Sequence, residues 1–269
     1  GMLRFMPVGG MDLRILVSAR VLIGKARAPG VIGCKAIHLQ EPEERKTPLK
    51  LDQLYIDIGA SSREQALAAV QPGDAAIFDS GYVEFGEGCI KARALDDRVG
   101  CAMLLSALEQ RYPVTLAAVF SCQEEIGTGG AQVAAYAVDP DMALVLEGTT
   151  CADMHGVRDH LRVTRLGRGP VIAPMDRSIM ADVSLRQFIA RTAEAAGIPW
   201  QNREGVMGGT DGGVIQRARG GIPVAHISIP TRYIHSPVCV VARRDVEQGA
   251  ALLRAVLQDS PAFLKGKVK

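Results

Sequence analysis

Val114-Thr115-Leu116-Ala117-Ala118-Val119-Phe120-Ser121-Cys122-Gln123-Glu124-Glu125-Ile126-Gly127 sets an apolar run directly against two consecutive carboxylates. The run reads as a buried strand, so the acids fall at its carboxyl end. In an open α/β sheet the carboxyl ends of the strands line the crevice where ligands bind. Two adjacent carboxylates at such a place can divide metal binding from proton transfer, which is the chemistry of a metal hydrolase.

Three more groups fall at the same kind of place. Asp96, in Ala94-Leu95-Asp96-Asp97-Arg98, precedes a helical apolar pattern; Glu147 ends the run Met142 to Leu146 and precedes Gly148-Thr149-Thr150; His235 follows the strand-like stretch Ile222 to Ile229. Together with Glu125 these residues aim four distant segments at one point. Asp96 can bridge two metal ions, as a dinuclear hydrolase site requires, with Asp97 and Arg98 orienting it. Each residue also has an ordinary reading: Asp96 as a helix N-cap, Glu124 and Glu125 as a solvated helix start, Glu147 as an exposed loop acid at a strand tip, and the proline-braced His235 as a hydrogen-bonded core residue. Gly127, Gly129 and Gly130 indicate close approach of the backbone to something. Taken alone, the spacing supports a metal site in an α/β protein.

The chain around these segments has 269 residues, 48% of them hydrophobic, enough for one large domain or two modest ones. Its 31 basic and 29 acidic residues are interspersed, a mixed surface without the footprint of a nucleic-acid or anionic-membrane partner. Cys34, Cys89, Cys101, Cys122, Cys151 and Cys239 are scattered without a C-x-x-C pair, so most should be buried small hydrophobes. No charged n-region with an apolar core opens the chain, and no apolar stretch reaches about 18 residues, which makes a cytoplasmic location the default. Gly1 before Met2 resembles a residue left by tag removal.

Residues 1–85 read as a small β-rich domain. Leu13 to Ile23, Gly30 to Cys34, Leu54 to Ile58 and Ala75 to Phe78 are strand-like, and one helix, Arg63 to Val70, is introduced by a capping box of Ser61 and Glu64. Residues 86–269 alternate strands with helices over Asp97 to Gln110, Val114 to Phe120, Met142 to Leu146, Ala181 to Ala196, Gly208 to Ala218, Ile222 to Ile229 and Arg244 to Gln258, the pattern of an α/β sheet covered by helices. The basic tail Lys265-Gly266-Lys267-Val268-Lys269 reads as a frayed terminus.

Four ordered strings, Lys91-Ala92-Arg93-Ala94-Leu95-Asp96-Asp97-Arg98-Val99-Gly100, Gln123-Glu124-Glu125-Ile126-Gly127, Gly208-Gly209-Thr210-Asp211 and Arg232-Tyr233-Ile234-His235-Ser236-Pro237, resemble the M42 family of metallo-aminopeptidases, the glutamyl and tetrahedral aminopeptidase group. Pro7-Val8-Gly9-Gly10, Gly30-Val31-Ile32-Gly33 and Leu54-Tyr55-Ile56-Asp57-Ile58-Gly59-Ala60 are similar to that family's dimerisation domain. The resemblance implies a metallo-exopeptidase fold with an inserted dimerisation domain at 1–85 and a catalytic domain at 86–269. It implies two divalent metals, zinc or cobalt, with Asp96 bridging, Glu125 and His235 as terminal ligands, Glu147 as an acidic ligand and Glu124 as general base. The implied substrate is a peptide shortened from its N-terminus, and the implied assembly is a homodimer or a dodecamer of dimers.

The chain departs from the family where a His-x-Asp motif is expected on a segment preceding the dimerisation domain. None occurs, and His38, His155, His160 and His226 read as structural or surface residues. One metal position keeps Asp96, Glu125 and His235, while the other, with only Asp96 and Glu147, is expected to be weakened. The break falls inside an otherwise intact pattern, as if the start had been assigned too far downstream. A non-catalytic assembly or peptide-binding protein of the same fold is therefore the alternative. A glucanase fits worse, because glycosidases use paired carboxylates without a bridging metal.

Overall fold

The computed structural model describes residues 1–266, which form two compact units. Lys267, Val268 and Lys269 of the expected frayed tail lie outside the described residues, while Lys265 still belongs to the last helix.

The first unit holds residues 1–83 with the short stretches 92–94 and 235–238. Strands β1 (Arg20–Ile23), β2 (Ala28–Gly33), β3 (Tyr55–Asp57) and β4 (Ala76–Phe78) form a sheet of order β3-β2-β1-β4, antiparallel at each junction. Alternation along β1 buries Val21 and Ile23, which pack with Leu16, Ile32, Leu54, Ile56 and Val70 into the unit's core. Leu13–Ile15 is not strand but a 3-10 turn, because the Asp12 carboxylate accepts the Arg14 backbone N–H at 3.0 Å and closes the chain locally. Helix α1 (Arg63–Ala69) forms as expected, but its cap is Ser62, which accepts from Gln65 N, and Gln65 in turn accepts from Ser61. The cap is thus displaced by one residue from the expected Ser61, and the reciprocal bond of a capping box is not made to the N-cap backbone.

In the second unit, β7 (Ala143–Thr150) and β8 (Val224–Thr231) run parallel, with Glu147 opposite Ser228. All eight residues of β8 are buried, as a parallel strand covered on both faces requires. A second sheet, of order β5-β6-β9, joins β5 (Val83–Phe85), β6 (Cys89–Ala92) and β9 (Cys239–Ala242). Helices α2 (Leu95–Leu108), α3 (Gly129–Val138), α4 (Val183–Ala195), α5 (Gly212–Gln216) and α6 (Arg243–Lys265) complete an α/β unit with Met103, Leu185, Ile189, Ile227, Ile229 and Leu252 fully buried. Asp182 caps α4 by accepting Leu185 N at 2.8 Å. The buried Asp245 in the first turn of α6 accepts the Gly167 and Gly169 amides at 2.7 and 2.9 Å, pinning the loop between them.

Several expectations change in this unit. Val114 to Phe120 alternates between half-buried and exposed residues, yet it joins no sheet among the described residues. Period-two alternation is a property of one segment, whereas a strand is made by ladder hydrogen bonds to a second. The helix expected over Gly208 to Ala218 shrinks to α5, since Gly208 to Asp211 are held as a loop by side chains from 176–178. Gly127, Gly129 and Gly130 lead into α3. Gly127 adopts φ 121°, and a Cβ on Gly129 would crowd the Gln123 side chain and one on Gly130 would collide with the Cys122 backbone, so at these two positions the close approach is within the protein. All six cysteines are free thiols; only Cys151 and Cys239 are buried, and Cys101 and Cys122 are exposed, contrary to the expectation for most of them. No helix of the described residues is long and apolar enough to cross a membrane.

Candidate metal centre

Within the second unit, Asp96, Asp97 and Glu147 each bring a carboxylate oxygen within 4.8 Å of the other two. Asp96 lies in extended backbone (φ −94°, ψ 106°) ahead of the regular part of α2, and the Asp96–Asp97 peptide is cis. Asp97 Oδ1 accepts Gly100 N at 3.0 Å, so the capping role weighed for Asp96 falls to Asp97. Glu147 is not at a strand tip or in a loop: it lies within β7, 8% exposed, facing the start of α2. Gly148 makes this approach possible, since a Cβ there would stand 3.0 Å from Asp96 Cβ and Oδ1.

Glu124 and Glu125 occupy a 3-10 turn, Glu124–Ile126, between Gln123 in the left-handed region and Gly127. Glu124 is half-buried and Glu125 exposed; Glu125 offers an oxygen within 4.8 Å of one on Asp96. His235, with φ 58°, opens the stretch 235–238 that belongs to the first unit.

The electrostatics follow from this crowding. Burial pushes the Glu147 carboxyl up to about 11, reinforced by the negative charges of Asp97, Asp96, Glu124 and Asp211. Asp97 rises to about 8, first through burial and then through Asp96 and Glu124, against the pull of the Gly100 and Gly148 amides. Like charges at these separations cannot all ionise unaided, and a divalent cation is the usual remedy. Carboxylate oxygens are hard donors, so the residues present fit such an ion.

Residues 1–252 match the model of the M42 glutamyl aminopeptidase family. The chain belongs to the M42 family. An aminopeptidase from the archaeon Desulfurococcus kamchatkensis superposes on it with a TM-score of 0.93 at 36% identity, covering 100% of this chain and 77% of that one. The Pyrococcus horikoshii TET1 peptidase, which can assemble into a tetrahedron or a large octahedral shell, gives 0.79 at 30% identity over 96% of this chain and 77% of its own. A lysyl aminopeptidase of Pyrococcus furiosus is 32% identical over 266 residues, 96% of this chain and 75% of the relative. The resemblance drawn from the four motifs holds, and the fold is that of the TET aminopeptidases.

Sequence reasoning gave Asp97 only an orienting role, whereas the M42 chain places one of its oxygens in the carboxylate cluster. It also missed the buried network behind Gly208-Gly209-Thr210-Asp211. Asp176 accepts from Ser178 N, Ser178 Oγ, Ile179 N and Thr210 Oγ1, and His226 Nε2 lies 2.9 Å from the same threonine oxygen. Nothing in the spacing of 176, 210 and 226 announces this, because the three meet only after β8 is packed.

Proposed function

We propose that this M42 chain is a metal-dependent aminopeptidase that removes N-terminal residues from peptides, using two divalent ions of the zinc or cobalt kind. The observation that carries the reading is the meeting of the Asp96, Asp97 and Glu147 carboxylates within 4.8 Å in a chain matched to M42 over 1–252. Asp96 would hold both ions, Glu125 and His235 one of them and Glu147 the other. When bound, the ions would lower the pKa of water and polarise the scissile carbonyl. Glu124 takes up the proton of the attacking water and returns it to the leaving amine, the role of a carboxylate within reach of the reacting atoms but not serving as a ligand. Asp97 holds the start of α2 through Gly100 N and so fixes where Asp96 stands. The first unit would supply the contact between copies of this chain, in a homodimer or in a larger shell of the kind that the Pyrococcus horikoshii TET1 peptidase can form.

The test is metal stoichiometry per chain, followed by hydrolysis of aminoacyl anilides and short peptides with added zinc or cobalt. Close to two ions with turnover that vanishes in Glu124→Gln supports the assignment. Full turnover in that variant removes Glu124 as the base, and metal binding without any turnover favours the peptide-binding alternative.

A further inference from the structure

Glu124 and Glu125 stand at the end of a segment that no sheet holds among the described residues, so other contacts fix them. Backbone bonds from Gly127, Thr128 and Gly130 to the carbonyls of Glu124 and Cys122 shape the turn itself. One long-range tie is a side-chain bond: Ser121 Oγ donates to Asp211 Oδ2 at 2.5 Å across 90 residues of sequence.

Asp211 is well placed to act as an anchor. Its neighbour Thr210 donates from N to Ser178 Oγ at 3.1 Å and from Oγ1 to Asp176 Oδ2 at 3.0 Å, and Thr210 Oγ1 also meets His226. Asp176 and His226 are 3% and 2% exposed, and Arg177 N bonds to Gly208 O, so the loop carrying Asp211 is clamped at several points. Asp211 is itself 8% exposed, and its second oxygen, Oδ1, is buried without a hydrogen-bond partner. A tether alone needs one acceptor, and leaving the other oxygen of a buried carboxylate unsatisfied is unfavourable.

We infer that Asp211 is a positioning residue, anchored by the buried Asp176–Thr210–His226 network, which through Ser121 fixes the arm carrying Glu124 and Glu125 within the second unit. The inference deepens the metallo-aminopeptidase reading and rests on it for the consequence at the metal. Partners that orient ligands from outside the coordination sphere typically change metal affinity about 10- to 100-fold when removed.

Two measurements on the whole chain separate this inference from the metal reading. The first is cobalt(II) titration, followed by visible absorption and chelator competition. Ser121→Ala and Asp211→Ala should each weaken binding at least about tenfold, the double variant should be no weaker than either single one, and Ser121→Thr, which keeps the hydroxyl on an exposed residue, should stay within about threefold of the parent. The second is hydrogen exchange of metal-free protein at the Gly127, Thr128 and Gly130 amides. Exchange there should quicken in Ser121→Ala and Asp211→Ala, while α4 amides keep parental protection. If Asp211→Ala does not fold, Ser121→Ala and Asp211→Asn carry the test. Losses that multiply in the double variant, or a Ser121→Ala protein with parental exchange at those amides, overturn the inference. A parent that takes up no cobalt, combined with faster exchange in the variants, refutes the metal reading and leaves the positioning role standing.

Discussion

Gly148→Ala puts a single methyl group into the narrowest gap of the centre. The added Cβ would lie 3.0 Å from both Cβ and Oδ1 of Asp96 and 3.2 Å from its Cα. Two of these three atoms cannot swing aside by a rotamer change, and ordinary carbon contacts begin near 3.5 Å, so backbone must yield by a few tenths of an ångström. Glu147 is the preceding residue along β7, which β8 holds by a parallel ladder from residue 143 to 150, so Asp96 is the side that moves. Overpacking of this kind costs about 1–3 kcal/mol. If the displacement falls on the position Asp96 needs when a divalent ion is bound, it appears as roughly a 5- to 150-fold loss of metal affinity. Isothermal titration with zinc under chelator competition, beside thermal unfolding of the metal-free protein, gives both numbers. Parental affinity together with an unchanged melting temperature would show that Asp96 has slack and refute the reasoning; a lower melting temperature with parental affinity would show that the contact serves packing alone.

Glu124→Gln should lower turnover by about 100- to 10,000-fold, the usual range for a general base, while elemental analysis finds parental metal content. Asp245→Ala removes the acceptor for the buried Gly169 amide and the partly exposed Gly167 amide and should destabilise the protein by about 2 kcal/mol in denaturant unfolding, whereas metal affinity stays parental; a change under about 0.5 kcal/mol, the range of an ordinary surface substitution, would contradict the pinning role. Burial holds the His226 imidazole below its ordinary pKa, against the attraction of Asp176 and together with the repulsion of Arg203. The unfolded chain then binds the proton that the folded one refuses, so stability is complete above about pH 6.5 and falls as the pH drops below it, by up to about 1.4 kcal/mol per pH unit. His226→Gln should flatten that part of a pH series of unfolding curves, and an unaltered slope would show that His226 is not the group responsible.

Most helices and the two parallel strands were legible in the chain because their signals are local. The stretch Ala181 to Ala196 read as helical contains α4, and the apolar runs around residues 143 and 224 mark β7 and β8. Misreadings came where two local rules compete or where a partner is needed. Ser62 and not Ser61 caps α1, because both residues offer the same hydroxyl and only backbone direction chooses between them. Helix α3 was hidden by Gly129 and Gly130, whose presence answers to the Cys122 backbone. At Asp96-Asp97 a cap and a candidate ligand are adjacent and chemically identical; the Asp97 bond to Gly100 N separates them.

The order of motifs along the chain is enough to establish family, α/β class and the acids worth naming, since residue identity and short spacing are carried by covalent connectivity. Tertiary structure alone decided that Glu147 lies inside β7 and not at its end, that Val114 to Phe120 joins no sheet among the described residues, and that Ser121 meets Asp211. Each of these is a relation between segments far apart in sequence, set by register, ladder pairing and burial, and none leaves a mark on the residues of one segment read alone.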